Sequence, residues 1–166
     1  MATIVDHQIR DLCRKTGLVE PFSPEMVNPA SIDVTLGETI LVENDAGNFT
    51  PVNIKDEFFY MPPGAFVLAH TAELVRIPGN LECTFQLKSS RGREGYEHAL
   101  AGYIDPGFTG QITLELANLR RFKQLPLIAG MRIGQLRFSK LDDIPMRSYA
   151  ATGRYNNAVG VEESKG

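Results

Sequence analysis

Residues Leu81 to Ala117 read LECTFQLKSSRGREGYEHALAGYIDPGFTGQITLELA. This stretch begins and ends with a strand pattern, because apolar and polar residues alternate in Leu81–Leu87 and again in Ile112–Ala117. Hydroxyl, basic, glycine and acidic residues crowd the segment between the two patterns. Two rigid elements would hold these polar groups, so the stretch predicts both a β fold and a functional site.

The same strand signals recur along the chain. Further strands are predicted at Ser31–Leu36, Thr39–Val42, Ala65–His70 and Arg132–Ser139. Turn signatures separate the strands at Pro63-Gly64, Pro78-Gly79, Pro106-Gly107 and 45–48. Residues Thr3–Thr16 instead fit an amphipathic helix that begins at an N-cap on Thr3 and ends at Gly17. We therefore predict one mainly β domain over residues 1–166, a sandwich or jelly-roll-like barrel, with only β structure after the short N-terminal helix.

Composition and charge exclude several functional classes. The 166 residues carry a formal net charge of -3, which argues against general nucleic-acid binding through a basic surface. No apolar run approaches the length of a membrane span, and residues 1–15 carry charges where a signal peptide needs apolar residues. A cytoplasmic protein with no nucleic-acid or membrane partner is expected. Cys13 and Cys83 lack the spacing of a disulfide scaffold or zinc site, and we expect them to be packing thiols.

Three features of the central stretch have both a chemical and an ordinary interpretation. The segment Lys88–Arg93, KSSRGR, fits either a plain basic loop or a cradle for an anion. Glu115 lies on the strand face opposite Leu114, either as a solvated carboxylate or as an acid/base. Asp105 begins an Asp-Pro-Gly turn, where it either folds back onto the turn amides or orients a sugar hydroxyl or a water. The residues by themselves leave all three choices open.

Several standard nucleotide and metal motifs are missing from the sequence. Neither GxxxxGK[ST] nor a GxGxxG after a strand occurs, which counts against a P-loop or dinucleotide fold. The zinc-deaminase pairing of HxE with PCxxC is missing too, because His98 is followed by Ala99-Leu100 and the chain has no CxxC. Zinc-hydroxide chemistry is therefore not expected.

Three blocks, in their order and spacing, resemble dCTP deaminase of the trimeric dUTPase-like superfamily. The blocks are Ser89–Gly95 (SSRGREG), Ala101–Phe108 (AGYIDPGF) and Ile112–Glu115 (ITLE). Supporting matches lie at Pro29–Gly37, Gly130–Leu136 and Gly153–Tyr155, so the resemblance covers nearly the whole chain. It implies a distorted β-barrel of the dUTPase-like β-clip type and a homotrimer with active sites at subunit interfaces. It also implies zinc-independent hydrolysis of dCTP to dUTP and ammonia, as part of pyrimidine deoxynucleotide metabolism.

The resemblance also implies roles for individual residues. Glu115 would be the acid/base, and Ser89 and Arg93 would flank it. The main chain at Ala101 would hold the attacking water, while Asp105 and Tyr103 would contact the deoxyribose. The triphosphate would be bound by Lys88, Ser90, Gln135, Tyr149, Arg154 and Tyr155. Mg²⁺ would accompany it, held mainly by phosphate oxygens and water.

The C-terminal tail, 149–166, is polar and rich in small residues. From composition we expect it to be mobile until something docks it, and the resemblance implies that it closes over bound nucleotide.

Departures from the family pattern keep the end product and the base specificity open. Lys88 stands where many members have Arg, and Arg154-Tyr155-Asn156 stands where many have Lys-Tyr followed shortly by Gln. Tyr103 after Ala101-Gly102 resembles the Ala-Gly-Trp of members that also act as diphosphatases and release dUMP and pyrophosphate. The alternatives are thus a bifunctional enzyme, a dUTP diphosphatase that would not need Glu115, or a nucleotide-sensing regulatory trimer, with dTTP as a candidate inhibitor.

Overall fold

Two antiparallel sheets contain most of the strand residues in a computed structural model, which describes residues 2–99 and 101–166. The first eight strands are β1 (Ala2–Thr3), β2 (Val19–Glu20), β3 (Val27–Asn28), β4 (Ser31–Thr35), β5 (Thr39–Glu43), β6 (Phe49–Asn53), β7 (Phe59–Met61) and β8 (Phe66–His70). The next eight are β9 (Leu74–Arg76), β10 (Leu81–Leu87), β11 (Tyr96–His98), β12 (Tyr103–Ile104), β13 (Thr109–Gly110), β14 (Thr113–Asn118), β15 (Leu125–Leu127) and β16 (Arg132–Lys140). The helices are α1 (Asp6–Thr16), α2 (Ser89–Glu94) and α3 (Tyr149–Thr152), and a 3-10 turn covers Pro24–Met26.

The larger sheet has the order β12-β10-β16-β4-β3, with β1 paired to β16. The second sheet has the order β11-β14-β8-β5-β6, and two smaller sheets are formed by β13-β9-β2 and β15-β7. Apolar side chains from both large sheets meet in one cluster, which includes Val34 of β4, Phe138 of β16 and Leu114 of β14. The predicted mainly β fold is therefore confirmed.

The predicted strands agree with the structure to within one or two residues, and Leu81–Leu87 has the same bounds in both. The predicted alternation in β4 assigns its residues to two faces but does not reveal that both faces are buried. Ile32 and Val34 are buried as expected, but Ser31 and Asp33 on the other face are also buried, at 5% and 3% exposure. β4 lies inside its sheet between β16 and β3, and packing covers both of its faces.

The N-terminal helix begins later than predicted. Thr3 is not its N-cap, because Ala2–Thr3 extends the large sheet by pairing with the end of β16. The helix starts at Asp6, where the side chain of Gln8 accepts a hydrogen bond from the main-chain nitrogen of Val5 at 3.1 Å. Gly17 ends the helix in the left-handed region with φ of 65°, as predicted.

The expectation that only β structure follows the first helix is wrong at two places, α2 and α3. The segment Lys88–Arg93, interpreted as either a basic loop or an anion cradle, lies in α2, with Lys88 as the extended N-cap of that helix. The amide of Gly92 donates to the carbonyl of Lys88 at 3.1 Å, and Gly95, with φ of 109°, ends the helix. The helix thus presents its hydroxyl and guanidinium groups from a rigid element.

The two cysteines are buried free thiols, as expected for packing residues. Burial raises the pKa of Cys13 to about 11 and that of Cys83 well above its ordinary value. Among the helices of the described residues, none is long and apolar enough to cross a membrane.

Candidate active site

A cavity of about 460 Å³ lies beside strand β14. Glu115 and Thr113 of β14 line it, together with Leu68 of the adjacent strand β8. Part of the C-terminal tail lines another side. Six of the predicted site residues share this cavity, and we call them the cavity group: Ala101, Tyr103, Asp105, Glu115, Tyr149 and Tyr155.

Glu115 is partly buried in the wall of this cavity. Strand β14 lies inside its sheet, between β11 and β8, and its apolar residues Leu114 and Leu116 are fully buried. Glu115 points the other way and is 28% exposed. Its Oε2 is buried, and no donor in residues 2–99 and 101–166 is aligned with it, although Nε2 of His98 lies 3.2 Å away. The carboxylate therefore has an environment unlike that of a fully solvated surface group.

The segment before Asp105 is pressed against strand β10. The carbonyl of Gly102 accepts a hydrogen bond from the amide of Phe85 at 2.7 Å, and a Cβ on Gly102 would collide with the Phe85 carbonyl oxygen. The hydroxyl of Tyr103 donates to Glu82 at 3.2 Å. Burial raises the pKa of Tyr103, and the carboxylates of Glu82 and Asp105 raise it further. Tyr103 therefore stays a neutral phenol at physiological pH.

The predicted Asp-Pro-Gly turn is present at residues 105–107. The amide of Phe108 donates to the main-chain carbonyl of Asp105 at 3.2 Å, and Gly107 has φ of 89°, a conformation that favours glycine. Main-chain atoms thus close the turn. Asp105 is exposed and lines the cavity.

A second set of predicted residues lies elsewhere on the same chain. We call it the α2 group: Lys88, Ser89, Ser90 and Arg93 at α2, with Gln135 of strand β16. Ser89, Ser90 and Arg93 are exposed. Of the described residues that line the Glu115 cavity, none belongs to this group. One chain therefore carries its candidate acid/base and its predicted flanking residues at separate places.

A buried carboxylate anchors the α2 group. Oδ2 of Asp33, whose side chain is 2% exposed, lies 2.6 Å from Nζ of Lys88 and 3.6 Å from Arg132. Nδ2 of Asn28 donates to the other oxygen at 2.7 Å. On the same sheet, the hydroxyl of Ser31 donates to Oε1 of Gln135 at 2.7 Å. The N-terminus of α2 is therefore held by a paired and hydrogen-bonded internal charge.

The C-terminal tail lies along β13 and β14 of its own chain. The ring of Tyr149 packs 5.9 Å from that of Phe108, and the amide of Gln111 donates to the carbonyl of Ala158 at 2.9 Å. The amide of Glu162 donates to the hydroxyl of Thr113 at 3.3 Å. Arg154 is exposed on this tail and does not line the described cavity, unlike its neighbour Tyr155. The predicted movement of the tail stays a prediction.

Two residues at these sites were not singled out as functional from the sequence. Asp33 stood on the polar face of a predicted strand, and alternation does not reveal whether a second layer covers that face. His98 was considered only as a zinc ligand, and its strand, β11, is too short to give a periodic signal. The available signal for Asp33 was its place within the family match at Pro29–Gly37.

Comparison with known proteins identifies the family. A family model described as dCTP deaminase-like matches residues 3–141. A protein of Streptomyces griseus named "dCTP deaminase, dUMP-forming" is 38% identical over 164 residues, covering 89% of this chain and 85% of that protein. A protein of Aquifex aeolicus with the same name is 37% identical over 172 residues, covering 96% and 92%.

The fold agrees with this family. The crystal structure of 2'-deoxycytidine 5'-triphosphate deaminase from Agrobacterium tumefaciens superposes with a TM-score of 0.71 at 22% identity. The match covers 84% of this chain and 48% of that one. The chain belongs to the dCTP deaminase family. The resemblance read from its three sequence blocks is thus confirmed, and with it the prediction of an enzyme of this class.

Proposed function

We propose that the protein converts dCTP into dUMP, ammonia and pyrophosphate. The sequence made dUTP the leading product and the bifunctional reaction the alternative. Curated relatives at 35–38% identity carry the name "dCTP deaminase, dUMP-forming", which favours the alternative. The observation that carries the proposal is a half-buried Glu115 in one cavity with Tyr103 and Asp105.

Glu115 would act as the acid/base of deamination. It takes a proton from water as the water oxygen bonds to C4 of cytosine, and it returns a proton to the amino nitrogen, which leaves as ammonia. One water is consumed and the carboxylate is restored. A carboxylate held partly away from solvent is suited to this exchange, because little competing water has to be displaced from it.

The Tyr103 to Asp105 segment would bind the sugar and support the second step. The carboxylate of Asp105 accepts a hydrogen bond from the 3′-hydroxyl, and Tyr103 lies against the deoxyribose. A water near Asp105 then attacks the α-phosphorus, the bond to the bridging oxygen breaks, and pyrophosphate leaves with dUMP as the other product. The main chain at Ala101 would hold the water used for deamination.

A homotrimer would complete the site. Arg93 and Ser89 are exposed on one chain while Glu115 lies in a cavity that they do not line. A neighbouring copy can bring its α2 group to the mouth of this cavity, as the interface sites of the family imply. The hydroxyl of Ser89 would then fix water, and the guanidinium of Arg93 would support charge on the base and on Glu115.

The triphosphate would bind as its Mg²⁺ complex. No set of three His, Cys, Asp or Glu residues in the described part of the chain is placed to hold a metal. We therefore assign the ion to phosphate oxygens and water, with the substrate rather than the protein as its carrier. Phosphate contacts would come from Lys88, Ser90 and Gln135 of the α2 group and from Tyr149, Arg154 and Tyr155 of the tail. The tail would close over the nucleotide, and dTTP would compete for the same cavity.

The reaction is tested by following ammonia and pyrophosphate release from dCTP and, separately, from dUTP, with Mg²⁺ present. We expect both products from dCTP and pyrophosphate from dUTP. Ammonia without pyrophosphate would instead identify a deaminase that stops at dUTP. Pyrophosphate from dUTP alone would identify a diphosphatase. Tight nucleotide binding with no product would favour a sensing trimer over an enzyme.

The shared site makes a specific prediction for mixed trimers. Glu115→Gln and Arg93→Ala should each lose nearly all activity alone, since each removes one half of every site. After denaturing and refolding a 1:1 mixture, about a quarter of the sites should combine an intact Glu115 with an intact Arg93 from a neighbour. Ammonia release should therefore recover to about a quarter of the wild-type rate per site. A mixture as inactive as its parents would place both residues on the same subunit's site.

A further inference from the structure

We infer that His98 is a positioning residue for Glu115, and this inference rests on the proposed role of Glu115 in deamination. Nε2 of His98 lies 3.2 Å from Oε2 of Glu115. That carboxylate oxygen is buried, and none of the described donors, His98 included, is aligned with it in this conformation. A buried carboxylate oxygen without a donor is costly, and His98 is the nitrogen donor already within reach.

The imidazole is held in place by its surroundings. His98 ends strand β11 and pairs with Leu116 of β14, and the amide of the next residue, Ala99, donates to the carbonyl of Glu115 at 3.2 Å. The ring packs 4.7 Å from the ring of Phe85, and the side chain is 7% exposed. The ring therefore has little freedom to turn away from the carboxylate.

This contact would give the two carboxylate oxygens of Glu115 different roles. With a proton on Nε2, the imidazole donates to Oε2 after a small rotation of either side chain. The bond then fixes the plane of the carboxylate and leaves Oε1 to exchange protons with water and the amino group of the base. His98 does not line the Glu115 cavity, so it acts on the reaction through Glu115 and not by touching substrate.

The chemical type of the residue at position 98 should therefore matter more than its size. His98→Leu removes the donor and keeps an apolar side chain against Phe85. We expect it to lower kcat for deamination about 10- to 100-fold, the range for losing one hydrogen bond to a charged group. The KM for dCTP should change little, because the nucleotide contacts are untouched. His98→Gln carries an amide nitrogen that reaches a similar position, and it should retain kcat within a few-fold of wild type.

Two further measurements separate positioning from general destabilisation. In the Glu115→Gln background, His98→Leu should lower kcat no further, because its effect passes through Glu115. The inference would be overturned if His98→Leu lowered kcat as much in the Glu115→Gln background as in wild type. It would also be overturned if His98→Leu had the kcat of wild type, or if His98→Leu and His98→Gln lost kcat equally.

The contact can also be tested without turnover. A double-mutant cycle of His98→Leu and Glu115→Ala on urea unfolding should show coupling between the two positions, because each change removes one partner of the contact, and additive effects would contradict the contact. If wild type releases no product from dCTP, the proposed function fails, while this cycle still tests the pairing. If wild type is active and both tests show independence, only the His98 inference fails.

Discussion

Replacing Glu115 with glutamine should lower kcat for dCTP deamination on the order of 10³-fold, within the range for losing a general acid/base. The amide has nearly the shape of the carboxylate, so the cavity and its neighbouring strands should keep their structure. It cannot accept the proton of the attacking water, so the first proton transfer fails. Binding of dCTP, measured by calorimetry, should stay within a few-fold of wild type, because the contacts to sugar and phosphates lie on other residues.

Glu43→Gln is the matched control for this variant. Glu43 ends strand β5 in the same sheet but is exposed and outside the cavity. Its variant should release ammonia at the wild-type rate. Undiminished ammonia release by Glu115→Gln would remove Glu115 from its assigned role. A loss of dCTP binding in that variant would show that the carboxylate serves affinity instead.

Replacing Lys88 with methionine should lower the free energy of unfolding by about 3 kcal/mol, at the low end of the cost of breaking a buried ion pair. The change leaves the carboxylate of Asp33 inside the sheet without its nearest cation. Arg132 at 3.6 Å and the Asn28 amide at 2.7 Å still face that carboxylate, so the loss should stay at this lower end. Urea unfolding followed by circular dichroism measures the difference.

An exposed ion pair supplies the comparison. Lys15→Met breaks the pair between Lys15 and Asp11, which are 72% and 60% exposed. That change should cost less than about 0.5 kcal/mol, because solvent screens the pair. Equal losses of unfolding free energy in Lys88→Met and Lys15→Met would show that the pair between Lys88 and Asp33 stabilises the protein no more than an exposed pair does. Lys88→Arg should recover most of the loss, since it restores a cation beside the carboxylate.

Local pattern predicted the strands well because alternation is fixed by the geometry of a strand. Leu81–Leu87 and the inward face of β14 needed only this rule. The start of α1 was missed because Ala2–Thr3 pairs with a strand more than 130 residues away, and no local signal reports such a partner. Helix α2 was missed because Gly92 and two serines resemble a loop, while the helix depends on a left-handed end at Gly95.

The site was only partly predictable for a related reason. The sequence blocks identified Glu115, Asp105 and Arg93 through the family resemblance, and the structure gathers the first two in one cavity. Order along the chain does not say which groups share a pocket, so the separation of Arg93 from Glu115 emerged only from the fold. Asp33 and His98 stand out because of their buried contacts, and residue spacing in the sequence does not predict such contacts.

The product profile of dCTP tests the central claim most directly. Purified protein is incubated with dCTP and Mg²⁺ to full conversion, and the nucleotides are resolved by chromatography while ammonia and pyrophosphate are quantified. We predict dUMP as the final nucleotide, with one ammonia and one pyrophosphate released for each dCTP consumed. Unchanged dCTP after prolonged incubation, with correctly folded protein, would contradict the claim.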